Sequence, residues 1–216
     1  CMIVTTIFQF SDSRAQSFGL QWAKDFTKVP SGNTHQVRDL IVDSNGNVYS
    51  TGTYSDTLDA DPGPGVHYLI ANSHGQDMFI IKLNSSGNLV WAKSIGGVEY
   101  DGGHALQLDQ HGNLIITGGF IGLVDFDPGV GVQYENAPNS NGNIFILKLD
   151  ASGNFIWVKQ IGGSGVDDLN ALTVDATGNI YTVGTFNGTC DFDPSASTFN
   201  LSSNGARDIF VSKIDN

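Results

Sequence analysis

The sequence has few basic residues, little cysteine and no long apolar run. Its 216 residues include 10 Lys and Arg against 22 Asp and Glu, for a net charge of −12. This balance argues against nucleic acid as a partner, because a phosphate backbone requires clustered Lys and Arg. The two cysteines, Cys1 and Cys190, do not make a disulfide framework. No stretch reaches the roughly 18–20 apolar residues that cross a bilayer, so the chain is not predicted to span a membrane.

The residues that are abundant favour β-structure. The chain has 27 glycines and 13 phenylalanines, and 40% of its residues are hydrophobic. No stretch is rich in Ala, Glu and Lys, which a long helix would favour, and Gly, Asn, Ser and Thr are frequent throughout. This composition predicts many short strands joined by turns.

The first 15 residues differ from the rest. An apolar run, C-M-I-V-T-T-I-F-Q-F, is followed by a polar stretch with small residues at Ser13 and Ala15. This resembles the end of a secretory signal cleaved after Ala15, so residues 1–15 are predicted to be a signal-peptide remnant. A lipoprotein acylated at Cys1 is the weaker alternative. Either reading predicts a secreted or cell-surface protein.

A repeat dominates the remainder of the chain. D-x-x-G-N begins at Asp43, Asp109 and Asp175, at intervals of 66 residues. W-A-K or W-V-K recurs at Trp22, Trp91 and Trp157. The second unit shows four strand patterns, at about 104–109, 113–120, 144–150 and 154–161, which we call strands A to D. Four antiparallel strands per unit predict the blade of an all-β propeller.

The predicted blades cover about residues 36–96, 104–162 and 170–216. Residues 19–26 have the pattern of strand D and are predicted to be the outer strand of a preceding or closing blade. Cys190 occupies the position of Leu58 and Val124 in the other units, which predicts a small buried residue. About three blades are therefore present, fewer than the four to eight of an ordinary ring. The chain is either part of a larger ring, which the pattern favours, or half of a dimeric six-bladed ring.

These motifs resemble a known family. The phrases W-A-K-S-I-G-G, D-F-D-P-G and D-I-F-V-S-K-I are similar to the bacterial β-propeller repeat called SBBP, over residues 19–216. The resemblance implies a propeller in a secreted or surface protein and carries no catalytic residues. The first unit departs most, with Ala60 in place of the Phe of D-F-D.

The D-x-D-P motif occurs once in each unit. Its carboxylate pairs are Asp59 and Asp61, Asp125 and Asp127, and Asp191 and Asp193. Such pairs supply part of the oxygen shell that Ca²⁺ requires. The EF-hand pattern fails, however, because Ile70 and Asn136 stand at the twelfth position instead of Glu. Asp before Pro and Gly is also an ordinary turn former, and the sequence favours a structural turn over a Ca²⁺ site.

Residues that differ between units are better candidates for ligand binding than residues that repeat. The units differ just before and at the start of strand A. The candidate ligand-binding residues there are His35, Arg38, Asp101, His104, Asp167, Asp168 and Asn170. The bland interpretation is that these are solvated loop residues.

No motif of a catalytic site is present: there is no Gly-rich phosphate loop, H-E-x-x-H or G-x-S-x-G. We therefore predict a non-catalytic binding or adhesion scaffold that contacts protein or glycan through its long-loop face. The alternative is a polysaccharide-active hydrolase or lyase with Asp101, Asp167 or Asp168 at the mouth of a central channel.

Overall fold

The computed structural model describes residues 19–26, 34–72, 75–138 and 141–215. The predicted signal remnant, with Cys1, lies outside them. The described residues form β-strands joined by turns and loops, without a helix, and every pair of named strands is antiparallel. The predicted all-β class is therefore confirmed. Among these residues no helix is long and apolar enough to cross a membrane.

Three sheets follow one another along the chain. The first contains β1 (His35–Val42), β2 (Val48–Tyr54), β5 (Asp77–Leu83) and β6 (Leu89–Ile95), paired in that order. The second contains β7 (Asp101–Leu108), β8 (Leu114–Phe120), β11 (Asn143–Leu149) and β12 (Phe155–Gly163). The third contains β13 (Asp168–Val174), β14 (Ile180–Phe186) and β17 (Asp208–Ile214).

The segment between strands B and C of each unit forms a small hairpin of its own. The three hairpins are β3 (Thr57–Asp59) with β4 (Tyr68–Ile70), β9 (Gly122–Asp125) with β10 (Tyr134–Ala137), and β15 (Thr189–Asp191) with β16 (Asn200–Ser202). These hairpins were not predicted from the sequence.

The repeated D-x-x-G-N turns form as their sequence predicts. Asp109 Oδ1 accepts the N–H groups of His111 and Asn113 at 2.8 and 2.9 Å, and Asn113 Nδ2 donates to Asp109 Oδ2 at 2.9 Å. Gly112 takes a φ of 78°, which a side chain would strain. The same bonds recur at Asp43, Asp150 and Asp175. Local chemistry therefore closes each hairpin before any sheet packs.

The sheets pack face to face and share their cores. Met78 and Ile80 of the first sheet are fully buried in one cluster with Leu106 and Ile116 of the second. Cys190 is a buried free thiol in the next cluster, between the second and third sheets, as its repeat position predicts. Burying a side chain such as Ile contributes roughly 1.5–3 kcal/mol, so these shared clusters hold the units together.

The strand-D tryptophans lie at the rim of these cores and do not fill them, in contrast to the sequence prediction. Trp91 Nε1 donates to the carbonyl of Ala151, in the C–D turn of the next unit, at 3.3 Å. Trp22 makes the same bond to the carbonyl of Ser85 at 3.1 Å. An indole N–H needs an acceptor, which keeps one edge of the ring at the surface.

Two features set the number of blades apart from the prediction. The third sheet has three strands, so strand β17 has no outer neighbour within the described residues. Residues 19–26 lie against the first unit but have no strand pairing. The described part of the chain thus shows three stacked sheets and no closed ring.

Candidate functional site

The inner strands carry a β-bulge at the same place in each unit. The pairing of strands A and B skips one residue between Val37 and Asp39, and the corresponding skips leave out His104 and Asn170. The bulged residues are therefore Arg38, His104 and Asn170. A bulge re-aims its side chain away from the regular alternation, and bulges are frequent beside functional sites.

These three bulged residues line one cleft. β7 contacts both β1 and β13, which brings the inner strands of all three units together. Asp39 Oδ2 accepts the N–H of Leu106 at 2.9 Å and fastens β1 to β7. The cleft has a volume of about 430 Å³, and its lining consists of Arg38, Tyr100, His104, Asp168, Leu169 and Asn170. The fold thus collects a guanidinium, an imidazole, a carboxylate, an amide and a phenol from separate units.

His104 is held in one orientation. Its Nδ1 lies 3.3 Å from Asp168 Oδ1 and 3.2 Å from the carbonyl of Leu169. Both neighbours are acceptors, so Nδ1 carries the proton. The hydrogen bond from His104 holds the pKa of Asp168 below its ordinary value. Nε2 of His104 is buried and has no hydrogen-bond partner among the described residues, so in the neutral ring it can accept from a ligand.

Three of the predicted ligand residues do not line this cleft. His35, Asp101 and Asp167 occupy one repeat position. Asp101 and Asp167 are 2% and 6% exposed. Burial raises the pKa of Asp101 to about 7 and that of Asp167 to about 6. Asp101 accepts the N–H groups of Gly97 at 2.6 Å and Ile121 at 3.3 Å, which ties the loop before β7 to its sheet.

His35 belongs to a different cavity. It lines a space of about 250 Å³ together with residues 24–26 and Leu58, and burial lowers its pKa. Tyr100 is the cleft residue that the sequence reasoning missed. It directly precedes Asp101, and its position one residue outside the repeat-matched segment was the available signal.

The D-x-D-P carboxylates bond to the backbone of their own loops. Asp125 Oδ1 accepts the N–H groups of Asp127 at 3.1 Å and Gln133 at 2.8 Å, and Asp127 Oδ1 accepts that of Gly129 at 2.8 Å. The other two motifs repeat this pattern, through Asp59, Asp61, Asp191 and Asp193. This is the geometry of the turn interpretation. Within the described ranges no three His, Cys, Asp or Glu side chains cluster as a metal site, and the Ca²⁺ alternative stays a prediction.

The Phe of this motif belongs to the core. Phe126 packs against Phe120 and Phe145 with ring centroids 5.2 and 5.0 Å apart. Phe192 repeats the arrangement with Phe186 and Phe210. The motif therefore inserts a ring into the space between two sheets while its carboxylates hold the bend.

Comparison with known proteins supports the repeat. Residues 156–189 match the family described as the SBBP beta-propeller repeat, which confirms the resemblance seen in the motifs. The chain is 25% identical over 166 residues to "Regulatory protein FlaEY" of Caulobacter vibrioides, covering 77% of this chain and 17% of that protein. It is 27% identical over 159 residues to "Uncharacterized WD repeat-containing protein L264" of Acanthamoeba polyphaga mimivirus, covering 68% of this chain and 11% of that protein. The chain thus spans less than a fifth of the length of either relative. These matches indicate a repeat-protein module.

Proposed function

We propose that the chain is a β-propeller module of a secreted or cell-surface protein, and that it binds a protein partner without catalysis through the cleft of Arg38, His104 and Asn170. One observation carries the proposal. The three units repeat their turns, cores and bulges, yet the bulged residue differs in each, and the three different side chains meet in one cleft. A position that is structurally equivalent and chemically different serves recognition better than it serves the fold.

The chemistry of the cleft suits a polar, extended ligand. Arg38 offers a fork of donors for a carboxylate or carbonyl. His104 offers an acceptor at Nε2, and Asn170 offers both donors and acceptors. Loops of peptide carry all the complementary groups, and repeat proteins use such concave surfaces to bind them. The family match and the names of the two relatives support an interaction role.

The enzymatic alternative requires accessible carboxylates. Asp101 and Asp167 have the raised pKa values of a general acid, but both are buried and outside the cleft. Asp168 lines the cleft, where it is bonded to His104. This arrangement favours the binding module over a polysaccharide hydrolase or lyase. Incubation with a panel of polysaccharides tests the choice, since turnover that Asp167→Asn abolishes would overturn it.

A displayed peptide library tests the binding role. Peptides selected on the wild-type chain should lose at least about tenfold in affinity on the double variant Arg38→Ala, His104→Ala, because about 1.4 kcal/mol of lost contact corresponds to a factor of ten. The matched control is Ser86→Ala in an exposed C–D turn. Binding that survives the double variant would contradict the proposal.

Secretion rests on the apolar and then polar pattern of residues 1–15. Protein recovered from outside the cell should begin at Gln16. Retention of residues 1–15 in protein recovered from the cytoplasm would contradict this part of the proposal.

A further inference from the structure

One face of the third sheet is open although its counterparts are covered. Ile209 and Val211 of β17 are 78% and 76% exposed. The equivalent Ile144 and Ile146 of β11 are fully buried against the third unit. The sequence of β17 therefore provides an apolar face of the kind that packs on a following unit.

The first sheet is open on the opposite side. Leu40 of β1 is 57% exposed, whereas its equivalent Leu106 in β7 is 3% exposed and packs on the preceding unit. Val42 on the same strand is also 57% exposed. The chain thus ends its stack with the two complementary halves of the interface that it uses twice internally.

Residues 19–26 show the same incompleteness at the level of a strand. Trp22 contacts the turn around Gly87 as Trp91 contacts the turn around Gly153, so the segment sits where a strand D of a preceding unit would lie. Ala23 is exposed, but its equivalent Ala92 in β6 is buried by pairing with β5. The segment therefore has the contacts of strand D and lacks its strand C.

The outer edge of β17 has room for this segment. A cavity of about 580 Å³ runs along it, between Val211–Asp215 and the residues Phe199 and Leu201 of the third hairpin. In the first and second sheets, the corresponding edge of strand C is occupied by β6 and β12.

We propose that β17 pairs antiparallel with residues 19–26 of a second copy of this chain, and that two such joints close a six-bladed ring. The inference rests on the propeller arrangement proposed above. A second copy fits because three sheets are below the range of four to eight blades, and six fall within it. The ring also covers both open apolar faces, since each joint places the third sheet of one copy on the first sheet of the other.

The register of the joint follows from the two complete sheets. Met78 pairs with Ile95 and Ile81 with Ala92 in the first sheet. The second sheet pairs Ile144 with Ile161 and Leu147 with Val158. The same register pairs Ile209 with Phe26, Val211 with Lys24, and Ser212 with Ala23.

The mass of the full chain in solution tests the ring. Sedimentation equilibrium should give twice the chain mass of 23.0 kDa. Val211→Lys should reduce it to the monomer mass, because the charge would be buried in the joint, and since Val211 is exposed in the single copy the variant should still fold. Val130→Lys, at a fully exposed loop position, is the matched control and should stay dimeric. A wild-type chain that is monomeric at 100 μM would overturn the proposal.

Engineered disulfides test the register. In a Cys1→Ser, Cys190→Val background, Ala23→Cys with Ser212→Cys should give a covalent dimer under mild oxidation, because directly opposed Cβ atoms lie within about 5 Å. Lys24→Cys with Ser212→Cys is displaced by one residue to the other face and should link poorly. A ladder of higher oligomers, or equal linking of the two pairs, would overturn the ring. A monomer that still binds peptides through Arg38 would refute the ring and leave the proposed function standing.

Discussion

Replacing Phe126 by Ala should be among the most damaging single changes in the chain. Phe126 is 1% exposed and makes ring contacts with Phe120 and Phe145 at the shared core of the first two units. Phe-to-Ala changes in cores cost about 3–5 kcal/mol, and each aromatic pair adds roughly 0.5–1.5 kcal/mol to simple burial. Full enclosure between two units leaves little room for collapse, so we expect about 4–5 kcal/mol.

The same change in the third unit provides the comparison. Phe192 is 8% exposed and belongs to a unit whose far face is open, so Phe192→Ala should cost less, about 3 kcal/mol. Ala60 stands at this position in the first unit and is fully buried. Ala60→Phe should therefore destabilise by about 1–3 kcal/mol through overpacking, even though it restores the motif.

Urea denaturation measures all three changes. With a slope of about 2 kcal/mol per molar urea, a loss of 4 kcal/mol lowers the midpoint by about 2 M. The slope should stay constant, because the folded state loses stability and not compactness. If Phe126→Ala moved the unfolding free energy by less than about 0.5 kcal/mol, or cost less than Phe192→Ala, then the motif would not anchor the core between units.

Two further predictions concern charged groups. Because Asp125 and Asp127 accept backbone N–H groups of their own loop, the thermal melt should be the same with millimolar Ca²⁺ and with EDTA. A Ca²⁺-dependent rise that Asp125→Asn with Asp127→Asn removes would establish the metal site instead. Burial raises the pKa of Asp101 to about 7, so between about pH 4 and pH 7 the folded state binds more protons than the unfolded state. Its contribution to stability is full below about pH 4 and is lost as the pH rises through 7. Asp101→Asn should flatten this fall in the free energy of unfolding, measured by urea melts from pH 4 to 8, and an unchanged slope would contradict the assignment.

The parts of the fold that the sequence predicts are those governed by local chemistry. Strands β7, β8, β11 and β12 coincide with the four predicted strands of the second unit to within about three residues. The reason is that each D-x-x-G-N turn satisfies its own backbone groups, so hairpin ends are written within five residues. The insertion hairpins were missed because their pairing depends on segments about ten residues apart and on the ring of Phe126 or Phe192 between sheets.

The candidate site was predicted only in part, and the bulge explains the division. Asp101 and His104 are three residues apart, and from the sequence both were candidates for the same surface. The extra residue at the bulge turns His104 into the cleft, while Asp101 remains at the regular start of β7 and is buried. Whether a strand contains a bulge depends on its register with the neighbouring strand, and that register is fixed by cores on both sides.

The bulge also separates recognition from stability. The bulged residue has no partner in the strand ladder, and Arg38 and Asn170 are exposed. Exposed positions away from caps and cores tolerate substitution within about 0.5 kcal/mol. His104 differs, because its ring bridges to Asp168 and Leu169 of the next unit. Arg38→Ala and Asn170→Ala should therefore leave the urea midpoint unchanged while altering peptide affinity, whereas His104→Ala should change both. If Arg38→Ala destabilised the chain as much as His104→Ala does, the bulged position would be part of the structural repeat and the case for a binding cleft would fail.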